Sequence, residues 1–316
     1  MIYVDFKKIG GFMWFLYALL VMLFWGAADL FYKKSACEEE KHTHLKTVVA
    51  VGFVMGIHAI FTLLTNDLNY DFKNILVYLP VSSMYIISMA VGYFGLRYLE
   101  LSISSPVQNT SGIVAAILCF FILKETLSLP AAIAIGIMAV GLIMLGIIEK
   151  KANETEKVED RKYKIGFIAF FIPIFYCIID SLGTFFDAYY LELSTSPLVN
   201  INESTIELVA NISYELTFLI AAIICLIFLI IKKSKTNKET VKNNLLAAVL
   251  ETAGQFFYVY ALSGNAIVAA PMIASYSIVS MILSRIFLKE KLTKKEYIAL
   301  FIIIIGIIAL GVVEEL

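Results

Sequence analysis

The chain of 316 residues is 60% hydrophobic and only 16% charged, and its net charge at pH 7 is −1. Soluble domains hold roughly 45–50% apolar and about 25% charged residues, so these proportions exclude an ordinary soluble protein and favour helices surrounded by lipid. The lysines and arginines lie in the gaps between apolar runs and form no continuous basic face, which excludes nucleic acid as a partner.

Apolar runs long enough to cross a bilayer follow one another along the whole chain. A span needs about 20 apolar residues, and short polar breaks separate consecutive runs. The predicted helices cover residues 11–32, 47–65, 76–97, 102–123, 129–148, 165–189, 205–231, 244–262, 265–288 and 296–313. The first run lacks a small-residue cleavage site, so we interpret it as a retained helix and not as a signal peptide. The sequence predicts an all-α integral membrane protein with ten transmembrane helices.

The second half of the chain repeats the first. Residues 106–149 align with residues 271–314 without a gap. Matched positions include Pro106 and Pro271, Gly141 and Gly306, Gly146 and Gly311, and the Lys-Glu pairs at 124–125 and 289–290. Five helices is an odd number, so the second half enters the membrane from the opposite side and the two five-helix repeats are inverted. We assign 1–150 to the first repeat, 151–164 to a charged linker and 165–316 to the second repeat.

The basic residues are distributed unevenly between the two sides of this bundle. All but four of the 25 lysines and arginines fall on the side that carries 33–46, 150–164, 232–242 and 285–295. The positive-inside rule places those segments in the cytoplasm and both termini outside. The predicted location is the cytoplasmic membrane, which the chain crosses many times.

Polar side chains interrupt several of the predicted helices. An ionisable residue at the centre of a span costs about 2.5–3.5 kcal/mol on insertion scales and usually faces the bundle interior. Glu251, Gln255 and Tyr258 are spaced i, i+4 and i+7 in the eighth helix and share one face. Similar stripes include Gln108 in the fourth helix and Asp180, Thr184 and Asp187 in the sixth. These stripes predict a polar central cavity, because only mutual contact keeps them away from lipid.

The candidate substrate-binding or coupling residues are Glu251, Gln255, Tyr258, Asp180, Asp29, Gln108, Trp25, Tyr276 and Glu215. Each has an alternative structural interpretation. Asp29 lies near Lys33 and is compatible with an ion pair, and aromatic residues such as Trp25 and Tyr276 either stack on a flat or cationic substrate or simply pack. A buried carboxylate can exchange a proton or pair with a cation, so Glu251 alone does not separate proton coupling from cation binding.

The Lys-Glu pairs lie in the turns after the fourth and ninth helices. A carboxylate in such a turn can accept hydrogen bonds from the exposed N–H groups of the following helix. We therefore expect Glu125 and Glu290 to have structural roles at the starts of the fifth and tenth helices. The sequence contains no nucleotide-binding loop, metalloprotease motif, nucleophile elbow or paired-cysteine motif, so we expect no enzyme activity, no cofactor and no metal.

Three motifs carry a resemblance to a known family: FWGAAD in the first helix, SPVQNTSGIVAAILCFFILKETLS, and its echo APMIASYSIVSMILSRIFLKEKLT. The chain resembles the EamA-like branch of the drug/metabolite transporter superfamily over nearly its whole length. The resemblance implies a ten-helix carrier with a cavity lined mainly by helices 1, 3, 4, 6, 8 and 9. It also implies cytoplasmic termini, in disagreement with the charge count. Segment 191–204 departs from the family pattern.

The architecture and the polar stripes together predict a secondary transporter that works by alternating access without ATP. The expected substrate is a small polar metabolite, either an amino acid or a cationic compound, with a proton or another ion as the coupling partner. The expected partners are this substrate and the lipid bilayer, with a homodimer as an option. The alternative is a non-transporting membrane sensor or assembly partner that keeps the fold, and an intramembrane enzyme is the third hypothesis.

Overall fold

The computed structural model describes residues 6–35, 42–95, 110–155, 166–287, 289 and 292–315. Its helices are α1 Phe6–Ser35, α2 Thr43–Thr65, α3 Leu79–Gly95, α4 Ser111–Leu118, α5 Leu129–Thr155, α6 Gly166–Leu191, α7 Ile206–Ile231, α8 Lys238–Ile273, α9 Ser277–Phe287 and α10 Lys294–Glu315. A short helix, Lys73–Val77, precedes α3, and a π-helical turn, Cys119–Leu123, continues α4. The all-helical prediction is confirmed.

Among the described residues, five helical stretches are long and apolar enough to cross a membrane. They are Met13–Ser35, Thr43–Thr65, Ile206–Ile231, Lys238–Phe287 and Lys294–Val313. Shorter apolar helices cover Leu79–Gly92, Ser111–Leu123 and Leu129–Leu145. Large apolar side chains on their outer faces stay exposed, as Leu64 does on α2 and Phe301 on α10. Such faces suit lipid and not water, so the chain is a multi-pass membrane protein.

The predicted eighth and ninth helices meet inside α8. Asn265 has φ −167° and ψ 81°, which are not helical values, and it interrupts the helix there. The ninth span then runs through residues 266–273, a 3₁₀ turn at Ala274–Tyr276, and α9. The eighth begins at Lys238, earlier than predicted, because the Asn237 side chain accepts a hydrogen bond from the N–H of Glu239 at 3.3 Å and caps it.

The helices of the two halves pack in pairs that obey a two-fold relation. Under the repeat, each of the first five helices corresponds to the helix five places later. The main contacts join α1 to α8 and α3 to α6, and these two pairs are counterparts of each other. Two further pairs, α2 with α7 and α5 with α10, join a helix to its own counterpart. This pattern is what a pseudo-two-fold axis between inverted repeats requires, although the exact boundaries of the halves stay a prediction.

The crossing of α5 and α10 shows the same relation in atomic detail. A Cβ atom placed on Gly141 would overlap Ile303, and one placed on Gly306 would overlap Met138. Met138 and Ile303 are themselves equivalent in the repeat. The two glycines therefore permit the close helix contact that the sequence predicted, since small residues let backbones approach within a membrane.

Glu125 does not cap the helix that follows it. The start of α5 already has its own cap, because the Ser128 hydroxyl accepts from the N–H of Ala131 at 3.3 Å. The Glu125 carboxylate instead accepts from the N–H of Ile267 at 3.1 Å. Because of the break at Asn265, the N–H groups that follow it lack the carbonyl acceptors that a continuous helix offers four residues earlier. An acid from the first half therefore caps a helix of the second. Glu290 lies outside the described residues.

We expect Glu125→Ala to lower the free energy of unfolding by about 1–2 kcal/mol, because the Ile267 N–H loses its acceptor. Glu125→Gln keeps a carbonyl oxygen at the same place and should lower the free energy of unfolding by less. Thermal unfolding of the purified protein in detergent checks this, with the exposed Glu203→Ala as the control. Equal destabilisation by the changes at positions 125 and 203 would contradict the capping role.

Candidate functional site

A central cavity of about 130 Å³ lies where the two halves meet. This volume is well above the roughly 10–15 Å³ that one water molecule needs on the same measure. Its walls come from α1, α3, α4, α6 and α8 with the turn at Ala274–Tyr276, and Tyr214 adds a contribution from α7. Apart from Tyr214, these are the helices that the resemblance implied.

Seven of the nine candidate residues line this cavity, namely Trp25, Asp29, Asp180, Glu251, Gln255, Tyr258 and Tyr276. Glu215 does not, because it follows Tyr214 by one residue and so points about 100° further round α7. Its carboxylate is fully buried against α2, where it lies 2.8 Å from Nδ1 of His58. Gln108 lies outside the described residues. A role in binding for the seven stays a prediction.

Three carboxyl groups face the cavity from three different helices. Asp180 on α6 accepts hydrogen bonds from the Ser88 hydroxyl at 3.1 Å and the Ser111 hydroxyl at 2.7 Å. Glu251 on α8 accepts from the Tyr32 hydroxyl at 3.5 Å. The third, Asp29 on α1, makes a hydrogen bond with the Ser280 side chain and lies near the positive charge of Lys33, one turn along the same helix. None of the described lining residues is itself a lysine, arginine or histidine.

Aromatic rings form a second part of the wall. Trp25 lies with its ring centroid 5.0 Å from that of Tyr258 and 5.9 Å from that of Tyr276. Its indole N–H donates to the backbone carbonyl of Glu251 at 3.4 Å. Gly254 makes this possible, because a Cβ atom there would overlap the indole ring. The N–H edge of the tryptophan ring is thus held against α8 at Glu251 and Gly254.

Gln255 contributes an amide group that has no partner among the described residues. Its side chain is 3% exposed, and its Nε2 atom makes no hydrogen bond. A buried N–H donor without an acceptor costs about 1–3 kcal/mol. A bound molecule with an acceptor atom at this position would remove that cost.

Hydroxyl groups close one end of the cavity. The Tyr85 and Tyr258 hydroxyls share a hydrogen bond of 2.8 Å, and Thr184 lies 3.2 Å from the first and 3.0 Å from the second. Behind them, the buried Asp187 carboxylate accepts from Tyr78 and, at 3.5 Å, from Tyr85. We call these five residues the hydroxyl cluster. It lies on the same side of the cavity as the C-terminal end of α6.

Segment 191–204, which had no predicted role, covers this end of the bundle. Asn74 binds it through two hydrogen bonds, donating from its amide to the carbonyl of Val199 at 2.9 Å and accepting from the N–H of Val199 at 2.8 Å. Leu198 next to it is buried. The segment is therefore fixed to the short helix before α3, beyond the hydroxyl cluster.

Tyr85, Ser88 and Gly92 of α3 were not among the candidates chosen from the sequence. Tyr85, Ser88 and Gly92 are spaced i, i+3 and i+7, so they share one helical face, and all three line the cavity. Their periodicity was available in the sequence. It was obscured because the predicted helix 76–97 has no charged residue before Arg97 at its end to mark a polar face.

The described residues contain no group of three or more histidine, cysteine, aspartate or glutamate side chains placed to hold a metal ion.

Comparisons with known proteins agree with this architecture. The model of the EamA-like transporter family matches residues 12–147 and 214–312. The uncharacterized protein MJ1333.1 of Methanocaldococcus jannaschii is 30% identical over 130 residues, which are 41% of this chain and 93% of that protein. That relative is thus about as long as one five-helix half.

A solved crystal structure aligns with 95% of this chain and 96% of its own, with a TM-score of 0.67 and 12% identity. At this identity the likeness shows the fold alone, and it supports the two-repeat bundle as a whole. Because the family model covers well over half of the residues in two separate segments, the chain belongs to the EamA-like transporter family, whose members are membrane-embedded secondary transporters and not enzymes.

Proposed function

We propose that this transporter carries a small organic cation through the central cavity by alternating access, in exchange for protons. The observation that carries the proposal is the set of three carboxyl groups, Asp29, Asp180 and Glu251, in a cavity whose described walls hold no basic side chain. Like charges confined in a poorly solvated space repel one another, and a bound cation or proton relieves that repulsion. A cationic substrate and protons are therefore natural competitors for these groups.

The aromatic wall supports the same substrate class. The ring centroids of Tyr258 and Tyr276 both lie within 6 Å of that of Trp25, which bonds to the backbone of Glu251. A cation over an aromatic face gains about 0.5–1 kcal/mol when exposed and about 2 kcal/mol when it is desolvated. A compact amine with an apolar body would satisfy both the carboxylate and the rings.

Gln255 adds a requirement for an acceptor atom on the substrate. Its free amide donor faces the same space as Glu251, one helical turn away on α8. A substrate that carries an ammonium group and a carbonyl, carboxylate or hydroxyl oxygen would pair with both residues. This chemistry includes amino acids with a basic side chain, and it disfavours organic anions.

Exchange follows if substrate and proton cannot occupy the same carboxyl group together. On one side of the membrane the cation displaces the proton, and on the other side the proton displaces the cation. The inverted halves supply the conformational change, because they can open the cavity to one side and then to the other. The hydroxyl cluster supports a closed gate on the side of segment 191–204.

We expect Glu251→Gln to weaken binding of a cationic substrate at least about tenfold, which corresponds to about 1.4 kcal/mol. Flux into proteoliposomes with an imposed proton gradient checks this across a panel of a quaternary amine, a basic amino acid, a neutral amino acid and an organic anion. The variant should also lose its response to the proton gradient. The matched control is Glu203→Gln, which removes an exposed carboxylate far from the cavity.

Preferential flux of the organic anion would overturn the cationic class. Folded protein that moves no member of the panel would favour the alternative of a sensor or assembly partner. A thermal unfolding curve for each variant separates loss of binding from loss of fold.

We also expect Tyr258→Phe to weaken the closed gate, because it removes the hydroxyl that joins Tyr85 to Thr184. The loss of these bonds should cost about 1 kcal/mol of stability and speed hydrogen exchange in the last turns of α6. Tyr260→Phe is the control on the same helix, since its ring packs against Tyr17 and Phe256 outside the cluster. Identical exchange in the two variants would argue against a gate.

A further inference from the structure

A second cavity opens on the outer face of the bundle. It is a groove of about 400 Å³ between α2, the end of α7 and the start of α8. One wall is a stripe on α2 that includes Lys46, Ala50, Phe53 and Ile57. These positions are spaced i, i+4, i+7 and i+11, so they follow a single helical face. Most of the groove is apolar, and it is separate from the central cavity.

The groove has the length of one membrane leaflet. Eleven residues separate Lys46 from Ile57, and a helix rises 1.5 Å per residue, so the stripe is about 16 Å long. The hydrocarbon core of a bilayer is about 30 Å thick, which makes one leaflet about 15 Å. The lysine marks the polar end of the stripe, and Ile57, which is largely exposed, lies near the middle of the membrane.

The polar end of the groove carries a concentrated positive charge. Lys46 and Lys233 line it, and Lys46 donates to the backbone carbonyl of Lys235 at 2.5 Å. Other lysines of segment 232–242 lie next to it in sequence, against one acid, Glu239. This side of the bundle is the one that holds most of the basic residues, so the charge lies at headgroup level. Such a charge complements an anionic partner better than a neutral apolar one.

We infer that the groove binds an anionic phospholipid, with the phosphate at Lys46 and Lys233 and one acyl chain along the α2 stripe. Basic residues at headgroup level attract an anionic lipid, and the apolar stripe of α2 offers one acyl chain a surface to pack against. The site joins α2 of the first half to α7 and α8 of the second. Bound lipid therefore stabilises the contact between the two halves, independently of the substrate proposed above.

Native mass spectrometry of the full chain in detergent tests this, with phosphatidylglycerol and phosphatidylcholine of equal chain length as probes. The wild type should retain phosphatidylglycerol at least about fivefold more than phosphatidylcholine. Lys233→Gln removes a headgroup contact and Ala50→Phe fills the groove while all charges stay, so each should lower retention of phosphatidylglycerol severalfold. The matched control is Lys294→Gln, which removes one positive charge on the same side but at the start of α10.

Equal retention by the wild type and both groove variants would overturn the inference, because it would mean a nonspecific lipid annulus. A second copy of the chain in the groove would also overturn it, and a crosslink between copies through Phe53→Cys would reveal that arrangement. If Ala50→Phe fails to fold, Lys233→Gln with its control still decides the result. The thermal unfolding temperature with added phosphatidylglycerol gives a second readout. This temperature should rise on addition of the lipid for the wild type and for Lys294→Gln only.

Discussion

The cost of placing a carboxyl group at membrane depth governs the centre of this protein. Each such group needs hydrogen bonds, a proton or a counterion, because lipid offers none of them. Asp180 meets the need with two serine hydroxyls, Asp187 with tyrosines, and Glu215 with a histidine. Each of these partners comes from the opposite half of the chain. The same bonds that satisfy the acids therefore hold the two halves together.

Glu251 differs from these satisfied acids. Among the described residues the one hydrogen bond of its carboxylate is the long one from Tyr32, and it faces the open cavity. Nearby, Gln255 keeps an unused donor. A site with incomplete hydrogen bonding is costly in the empty state, and a ligand that completes it gains that energy on binding. The incomplete bonding of Glu251 and Gln255 thus marks where a substrate is expected, whereas Asp187 and Glu215, which do not line the cavity, serve the fold.

The sequence was informative about the spans because apolar length is a direct physical requirement of the bilayer. It was less informative about helix ends, since five of the six residues from Lys238 to Asn243 are polar and extend α8 beyond the apolar run that defines its span. Periodicity on one helix correctly grouped Glu251, Gln255 and Tyr258 on the cavity. It did not reveal that Glu215 lies outside the cavity, because the direction of a side chain is fixed only once its partner helix is known. The contact between Glu125 and Ile267 joins residues far apart in the chain, which no local pattern reveals.

The pairing of α1 with α8 and of α3 with α6 has a geometric consequence. The two pairs are equivalent by the repeat, yet they differ here, because α3 and α6 are joined through the hydroxyl cluster and α1 and α8 through Trp25 and Tyr32. If the halves exchange conformations during the cycle, α1 and α8 take the separation that α6 and α3 have now, and α6 and α3 take the present separation of α1 and α8. One asymmetric structure then shows both end states, because each half now has the conformation that the other half adopts in the opposite state.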